Sequence, residues 1–318
     1  MLRAVVKGYG AYLPEKILTN TELEKRIDTT DAWITERTGI RQRHIAAENE
    51  FTSDLATKAA QKAIEASGIP ASEIDVILVA TTTPDNTFPA TAAAVQAKLG
   101  LAGCGAFDLQ AVCSGFVYGL SVADAYIRSG LYKTILLIGA DTLSRIVDWN
   151  DRGTCILFGD GAGAVLIQAE ESDRGVLATT IHADGATREL LYVNGGAGSS
   201  ATSGVIHMNG REVFKRAVQF MCASTHEVLE AADESLDAVD WVVPHQANQR
   251  ILNATVDRLG VPHEKLISCV AQHGNTSAAS IPLALCDAAN QGKLKKGQLV
   301  AMQAVGGGLT WGAALVRW

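Results

Sequence analysis

Glu73-Ile74-Asp75-Val76-Ile77-Leu78-Val79-Ala80 and Leu236-Asp237-Ala238-Val239-Asp240-Trp241-Val242-Val243 read as the same element twice. In each, a short polar linker follows a helical stretch, and an aspartate leads into an apolar run. Asp75 and Asp240 lie 165 positions apart. Further echoes follow in order: Ala97-Lys98-Leu99-Gly100-Leu101 with Asp257-Arg258-Leu259-Gly260-Val261 at an offset of 160, and Arg128-Ser129-Gly130 with Asn290-Gln291-Gly292 at 162. Gly161–Ile167 resembles Trp311–Arg317. Runs such as Val76–Val79 and Ile135–Ile138 are continuously apolar, the mark of strands covered on both faces. The chain therefore reads as two β-α-β-α-β-β halves, residues 1–170 and 171–318, stacked in five layers, αβαβα. Helix-separated strands predict mainly parallel pairing with right-handed crossovers.

Composition agrees with that size of core. The 318 residues are 47 % apolar and 19 % charged, which favours a large buried interior over disorder. A formal charge of −7 disfavours a nucleic-acid partner, and an acidic partner would need a local basic patch. Met1–Gly10 lacks the long apolar stretch of a signal peptide, and no run reaches the ~18 apolar residues of a membrane span. The six cysteines are scattered without a CxxC pair, and the histidines show no HxxxH pair. A cytoplasmic protein without a metal site is expected.

Cys113 ends the apolar run Ala106–Val112 and precedes Ser114-Gly115-Phe116-Val117-Tyr118-Gly119-Leu120, a helical pattern with small residues at its start. Strand, sharp turn and helix would set the thiol at a helix N-terminus, where unpaired N–H groups favour the thiolate. Val243-Pro244-His245-Gln246-Ala247-Asn248 and His273-Gly274-Asn275-Thr276-Ser277 mark two further junctions. Cys113 and Asn275, 162 positions apart, would occupy equivalent helix starts, and His245 would follow the strand equivalent to the one ending near Ala80. Cysteine, histidine and asparagine so gathered point to covalent catalysis by a thiol. Asn275 also has good N-cap chemistry. Gly159, Gly161 and Ala164 match GxGxxA, but the following Val165-Leu166-Ile167 reads as a strand, so a tight structural turn is expected there and not a nucleotide loop.

The chain resembles the thiolase-related condensing enzymes, and specifically the β-ketoacyl-acyl-carrier-protein synthase III family. The resemblance rests on Trp33-Ile34, Arg37-Thr38-Gly39-Ile40, the Cys113 turn, Asp151-Arg152-Gly153-Thr154, Phe158–Gly163, Pro244–Asn248, His273–Ser277 and Gly306-Gly307-Gly308. It implies transfer of an acyl group, with acetyl expected, from acyl-CoA to Cys113. Decarboxylative condensation with malonyl-acyl carrier protein would follow, starting type II fatty acid synthesis. By the same resemblance, the backbone N–H groups of Cys113 and Gly307 form the oxyanion hole, and His245 and Asn275 donate hydrogen bonds to the enolate. Trp33 and Arg152 sandwich the adenine with Arg37 near the phosphates, while Gly210, Phe214, Ala247 and Asn248 line the pantetheine tunnel. Phe88 crosses a homodimer interface to close the partner's acyl pocket. Val305 and Leu309 stand where some relatives carry phenylalanine, which would enlarge that pocket. Lys215, Arg250 and Arg258 are candidates for the carrier-protein contact. No cofactor is implied, coenzyme A thioester being a substrate. Three rivals remain at this point: a secondary-metabolite condensing enzyme with another starter or extender, a cysteine hydrolase, and a non-catalytic acyl-CoA binder.

Overall fold

A computed structural model describes Met1–Trp318 and shows the two halves as successive stretches of chain. β1 (Leu2–Tyr12) opens the first half. An insertion follows, in which β2 (Lys16–Thr19), α1 (Asn20–Leu23), α2 (Asp31–Thr38) and β3 (Gln42–Ile45) form a small paired unit. The half continues with α3 (Thr52–Ser67), β4 (Val76–Ala80), α4 (Thr91–Lys98), β5 (Gly105–Leu109), α5 (Gly115–Arg128), β6 (Thr134–Thr142) and β7 (Asp160–Glu171). The second half runs β8 (Gly175–Ala183), a small hairpin of β9 (Leu191–Val193) and β10 (Ile206–Met208), then α6 (Gly210–Ala232), β11 (Trp241–Pro244), α7 (Gln249–Leu259), α8 (Val270–His273), α9 (Ser280–Asn290), β12 (Leu299–Gly306) and β13 (Thr310–Arg317).

The first sheet has the order β1-β7-β6-β4-β5 and the second β11-β12-β13-β8. α3 and α4 cover the outer face of the first sheet, α5 and α9 fill the space between sheets, and α6 covers the outer face of the second with α7 beside it. The five layers are as expected. Each half holds one strand–helix pair more than the β-α-β-α-β-β reading, because β5 adds an edge strand before α5. Its counterpart in the second half shrinks to a parallel bridge between Val242 and Leu266. The expectation of mainly parallel pairing is corrected as well. Strands joined through helices pair in parallel, β4 with β5 and β6, and β11 with β12. β6–β7 and β12–β13 are joined directly and pair antiparallel, as do the outer strands β1 and β8. Gly159–Gly163 is not a turn: Asp160 begins β7, where Pro282 and Leu283 of α9 pack on its backbone.

The central strands alternate between two cores along their continuously apolar stretches. Val76 and Leu78 face the inner helices, and Ile77 and Val79 face α3. Ile135 and Leu137 divide from Leu136 and Ile138 in the same way, as do Val300 and Met302 from Leu299 and Ala301. A period of two thus serves both faces of a buried sheet. Each such side chain gains ~1.5–3 kcal/mol on burial, which is why a one-residue slip of these strands is not tolerated.

The duplication is legible atom by atom. The Asp75 carboxylate accepts from the N–H of Thr134 at 2.9 Å, and the Asp240 carboxylate accepts from that of Leu299 at 2.7 Å. One pair joins the start of β4 to that of β6 and the other the start of β11 to that of β12, at an offset of 165. One-turn 3-10 helices, Val112–Ser114 and Ser277–Ala279, precede α5 and α9 at that same offset, and Val112 and Ser277 both have positive φ, 49° and 52°. The partner of Cys113 under the pseudo-twofold is therefore Ala278. This corrects the equivalence with Asn275, since the offset is 165 and not 162.

Each turn is pressed against the other half at a glycine. A Cβ on Gly306 of β12 would stand 2.6 Å from the carbonyl oxygen of Ala111 and 2.8 Å from the nitrogen of Cys113. A Cβ on Gly139 of β6 would collide with the carbonyl of Ala278. Gly139→Ala is expected to lower stability by ~3 kcal/mol, since the obstacle is backbone and cannot swing aside. Chemical denaturation checks this, and a change below ~0.5 kcal/mol would show that the turn yields freely.

Candidate active site

Three junctions converge between the sheets. Cys113 lies in the Val112–Ser114 turn, His245 follows the C-terminal end of β11, and Asn275 lies between α8 and the Ser277–Ala279 turn. All three are buried, at 5, 3 and 6 % exposure, and all three line one cavity of about 400 Å³. Cys113 also lines a second cavity of about 390 Å³, on whose wall stand Val112, Leu143, Ile146, Ile206 and Gly307. The thiol thus stands where two chambers meet. The first carries three arginines, Arg37, Arg211 and Arg250, and the second mixes aliphatic side chains with polar ones, Arg188, Thr82 and Gln110 among them.

The expectation of an acidified thiol is corrected. Cys113 precedes α5 within a separate turn, and burial pushes its pKa up to about 12. A rise from the ordinary value of 9.0 disfavours the thiolate by ~4 kcal/mol. A helix N-terminus returns only ~0.3–1 kcal/mol. Desolvation wins, and the resting group is the neutral thiol.

Burial holds His245 down to about 3, so the ring is neutral at physiological pH. Its Nδ1 lies 2.7 Å from the hydroxyl of Ser280, the first residue of α9. Asn275 Oδ1 accepts the N–H of Ser277 at 2.9 Å, which caps the turn and leaves the amide NH2 without a protein partner. The Asn275 backbone donates to the carbonyl of Leu157 at 2.8 Å and accepts from Gly159 at 3.0 Å, tying this loop to the start of β7. The capping role and the cavity-facing role thus belong to different ends of one amide.

Sequence reasoning did not find several supporting groups. Arg43 is wholly buried without a carboxylate partner and donates to the carbonyls of Leu18 and Ile156 and to Asn20 Oδ1. Burial lowers its pKa to about 10. Its Cβ lies against Gly274, directly behind Asn275. Asp141, also fully buried, accepts from Thr81, Thr82 and Thr83 and from the N–H of Ala278, and burial pushes its carboxyl up. Single buried polar residues leave no periodic trace, so only their positions in the fold mark them.

The other expected residues fall into distinct places. Arg37, Gly210, Phe214, Ala247, Asn248 and Val305 line the first cavity, and Gly307 lines the second. Asn248 Oδ1 also caps α7 through the N–H of Ile251, at 3.0 Å. Trp33 and Arg152 stand outside both cavities and face each other, with the guanidinium carbon 4.8 Å from the indole centroid. Arg37 lies 5.2 Å from the same ring. Leu309 is buried and lines neither cavity. Phe88 is 84 % exposed. Lys215, Arg250 and Arg258 are exposed on α6 and α7, with Arg250 5.7 Å from the ring of Phe214. Cys269, His273 and Asp287 bring three ligand atoms within 4.8 Å of one another, outside both cavities. These are residue types that bind zinc, and Cys269 and His273 stand one helical turn apart. No helix is long and apolar enough to cross a membrane.

The two buried histidines set a pH dependence of stability. Burial holds His273 down to about 4, as it holds His245 to about 3, against 6.5 for the free side chain. Between pH 6.5 and those values the unfolded chain binds protons that the folded chain refuses, so stability rises with pH across that window and is lost on acidification. Each ring contributes ~1.4 kcal/mol per pH unit. Denaturant titrations of the wild type and His245→Asn between pH 4 and 6 are expected to differ in slope by about that amount, with the variant flatter. Parallel lines would show that His245 is protonated in the folded protein.

Known proteins share this fold and much of this sequence. The family model described as 3-oxoacyl-[acyl-carrier-protein (ACP)] synthase III matches residues 107–185, and its C-terminal counterpart matches residues 229–318. Beta-ketoacyl-[acyl-carrier-protein] synthase III of Paramagnetospirillum magneticum is 56 % identical over 322 residues, covering 100 % of this chain and 99 % of that one. The protein of the same description from Rhizorhabdus wittichii is 57 % identical over 319 residues and fully covered. The crystal structure of 3-oxoacyl-[acyl-carrier-protein] synthase III from Aquifex aeolicus superposes with a TM-score of 0.95 at 49 % identity, covering 99 % of this chain and 100 % of that one. With this fold, and with cysteine, histidine and asparagine around one cavity, the chain is an acyl-transferring condensing enzyme and belongs to the β-ketoacyl-[acyl-carrier-protein] synthase III family.

Proposed function

We propose that this protein starts type II fatty acid synthesis by condensing an acyl group from acyl-CoA with malonyl-acyl carrier protein. The carrying observation is Cys113 at the meeting of two cavities, with His245 and Asn275 in the wall of the first. In the first half-reaction the Cys113 sulfur attacks the thioester carbonyl, its proton ends on the departing coenzyme A thiol, and the acyl group is held as a thioester of the cysteine. The bond formed and the bond broken are alike, so positioning and stabilisation of the tetrahedral oxyanion do most of the work. Gly307 is well placed for this, since its N–H has no partner within the protein and it shares the second cavity with Cys113.

In the second half-reaction malonyl thioester loses CO2, and the resulting carbanion attacks the acyl carbon and expels the Cys113 sulfur. Neutral donors from His245 and Asn275 stabilise the enolate oxygen without quenching the carbanion. Arg37 and Arg211 at the first cavity suit the phosphates of coenzyme A and of the carrier's prosthetic arm, and Lys215, Arg250 and Arg258 suit the carrier protein itself. Trp33 and Arg152 would take the adenine between them once the guanidinium swings off the indole. The aliphatic stretch of the second cavity's wall, Val112, Leu143, Ile146 and Ile206, suits the acyl chain. Acetyl is the expected starter, with Val305 acting from the wall of the first cavity and Leu309 from behind the site. The halves are taken as residues 1–170, with the nucleophile, and 171–318, with the two donors. A cytoplasmic homodimer is proposed, supported by the aromatic ring of Phe88 standing in solvent on a single chain. The reaction as written needs no cofactor.

A cysteine hydrolase would need Asn275 to orient His245 as base for the thiol. Here the Asn275 oxygen is taken by Ser277 and His245 Nδ1 by Ser280. A polyketide-priming β-ketosynthase shares the fold at 33 % identity and a TM-score of 0.93, below the identities of the relatives described above.

Intact-protein mass spectrometry is expected to show one acyl addition from acyl-CoA in the wild type and none in Cys113→Ala. His245→Ala and Asn275→Ala are expected to keep that addition and to lose ~10²–10³-fold in condensation. Loss of acylation in both would return the histidine to a base role. Arg250→Glu is expected to raise the KM for malonyl-carrier protein ~10-fold with less effect on acylation by acyl-CoA, since a rim charge steers an acidic partner. Equal losses in both half-reactions would remove the carrier assignment.

A further inference from the structure

The Ser280 hydroxyl receives one hydrogen and has only one place to send its own. Its Oγ accepts the N–H of Gln246 at 3.2 Å and lies 2.7 Å from His245 Nδ1. Thr57, Ser224 and Thr225 also sit in helices, and they send their hydroxyl hydrogens to a carbonyl one turn back. Ser280 begins its helix and makes no such bond. It is 1 % exposed, so water is not an alternative acceptor.

We propose that Ser280 is a positioning residue whose hydroxyl donates to Nδ1 of His245, fixing the imidazole as the Nε2–H tautomer and aiming a donor, not a base, into the first cavity. The opposite tautomer would converge two N–H groups on Oγ and strand a buried hydroxyl hydrogen. Asn275 is set by the same device, because its oxygen is consumed by the Ser277 N–H and only its NH2 faces outward. Both constraints come from one segment, Ser277–Ser280, whose backbone is held by Asp141 through the N–H of Ala278 at 3.3 Å. Two neutral donors without an acceptor between them select an oxygen bearing negative charge, such as an enolate. The catalytic consequence rests on the condensing reading above, whereas the tautomer does not.

The test is long-range 1H–15N correlation NMR on the 15N-histidine-labelled full chain, with His245 assigned by the signal missing in His245→Asn. The expected result is a protonated Nε2 and an unprotonated Nδ1 in the wild type, and a mixture of tautomers in Ser280→Ala. Release of labelled CO2 from malonyl-carrier protein is expected to fall ~10–100-fold in Ser280→Ala, as when a supporting partner of a site histidine is removed. Ser280→Thr, which keeps the hydroxyl, is expected to restore the tautomer and part of the rate. A protonated Nδ1 in the wild type overturns the proposal without any variant having to fold. An unchanged tautomer in folded Ser280→Ala overturns it as well. If the wild type shows Nε2–H but releases no CO2, the tautomer assignment stands and the condensing reading fails.

Discussion

The crossed approach of two short turns onto the opposite halves is the constraint on which the site depends. The Ala111–Ser114 backbone lies on Gly306 of β12, and the Ala278 backbone lies on Gly139 of β6. Val112 and Ser277, the opening residues of these turns, take the left-handed region that costs an L-residue roughly 1–2 kcal/mol. The inner helices and both sheets supply far more than that through α5 and α9, so the strain persists. Thiol, imidazole and amide then reach one cavity although they are scattered over more than half the chain.

Duplication followed by divergence explains the division of labour. One turn carries Cys113, the proposed nucleophile. The equivalent place in the other turn is Ala278, which has no side-chain chemistry and instead anchors its backbone to Asp141. The donors come from the flanks of the second turn, His245 ahead of it in the chain and Asn275 beside it. In the proposed reaction one half would hold the acyl group and the other would stabilise the charge that develops opposite it.

Desolvation governs the electrostatics. The site gathers few charges of its own, and burial pushes thiol, imidazole and the Asp141 carboxyl toward their neutral forms. Neutral groups in a low-dielectric cavity make strong dipolar donors and leave the developing negative charge as the dominant one. Arg37, Arg211 and Arg250 stand in the wall of the first cavity and Arg188 in that of the second.

The apolar runs at Val76–Val79 and Ile135–Ile138 made buried strands and a layered body readable from the chain alone, because local hydrophobic pattern dictates which faces must be covered. The junction residues Cys113, His245 and Asn275 were readable as well, since strand-to-helix turns punctuate the sequence. Register across the pseudo-twofold was not: an offset of 162 and one of 165 look alike in letters, and backbone contact at Gly139 and Gly306 decides between them. Antiparallel return strands, the neutral state of the thiol, the hydroxyl beside His245 and the buried Arg43 likewise depend on what each group is packed against. Those are properties of distance and dielectric, which a linear pattern does not carry and only the assembled fold supplies.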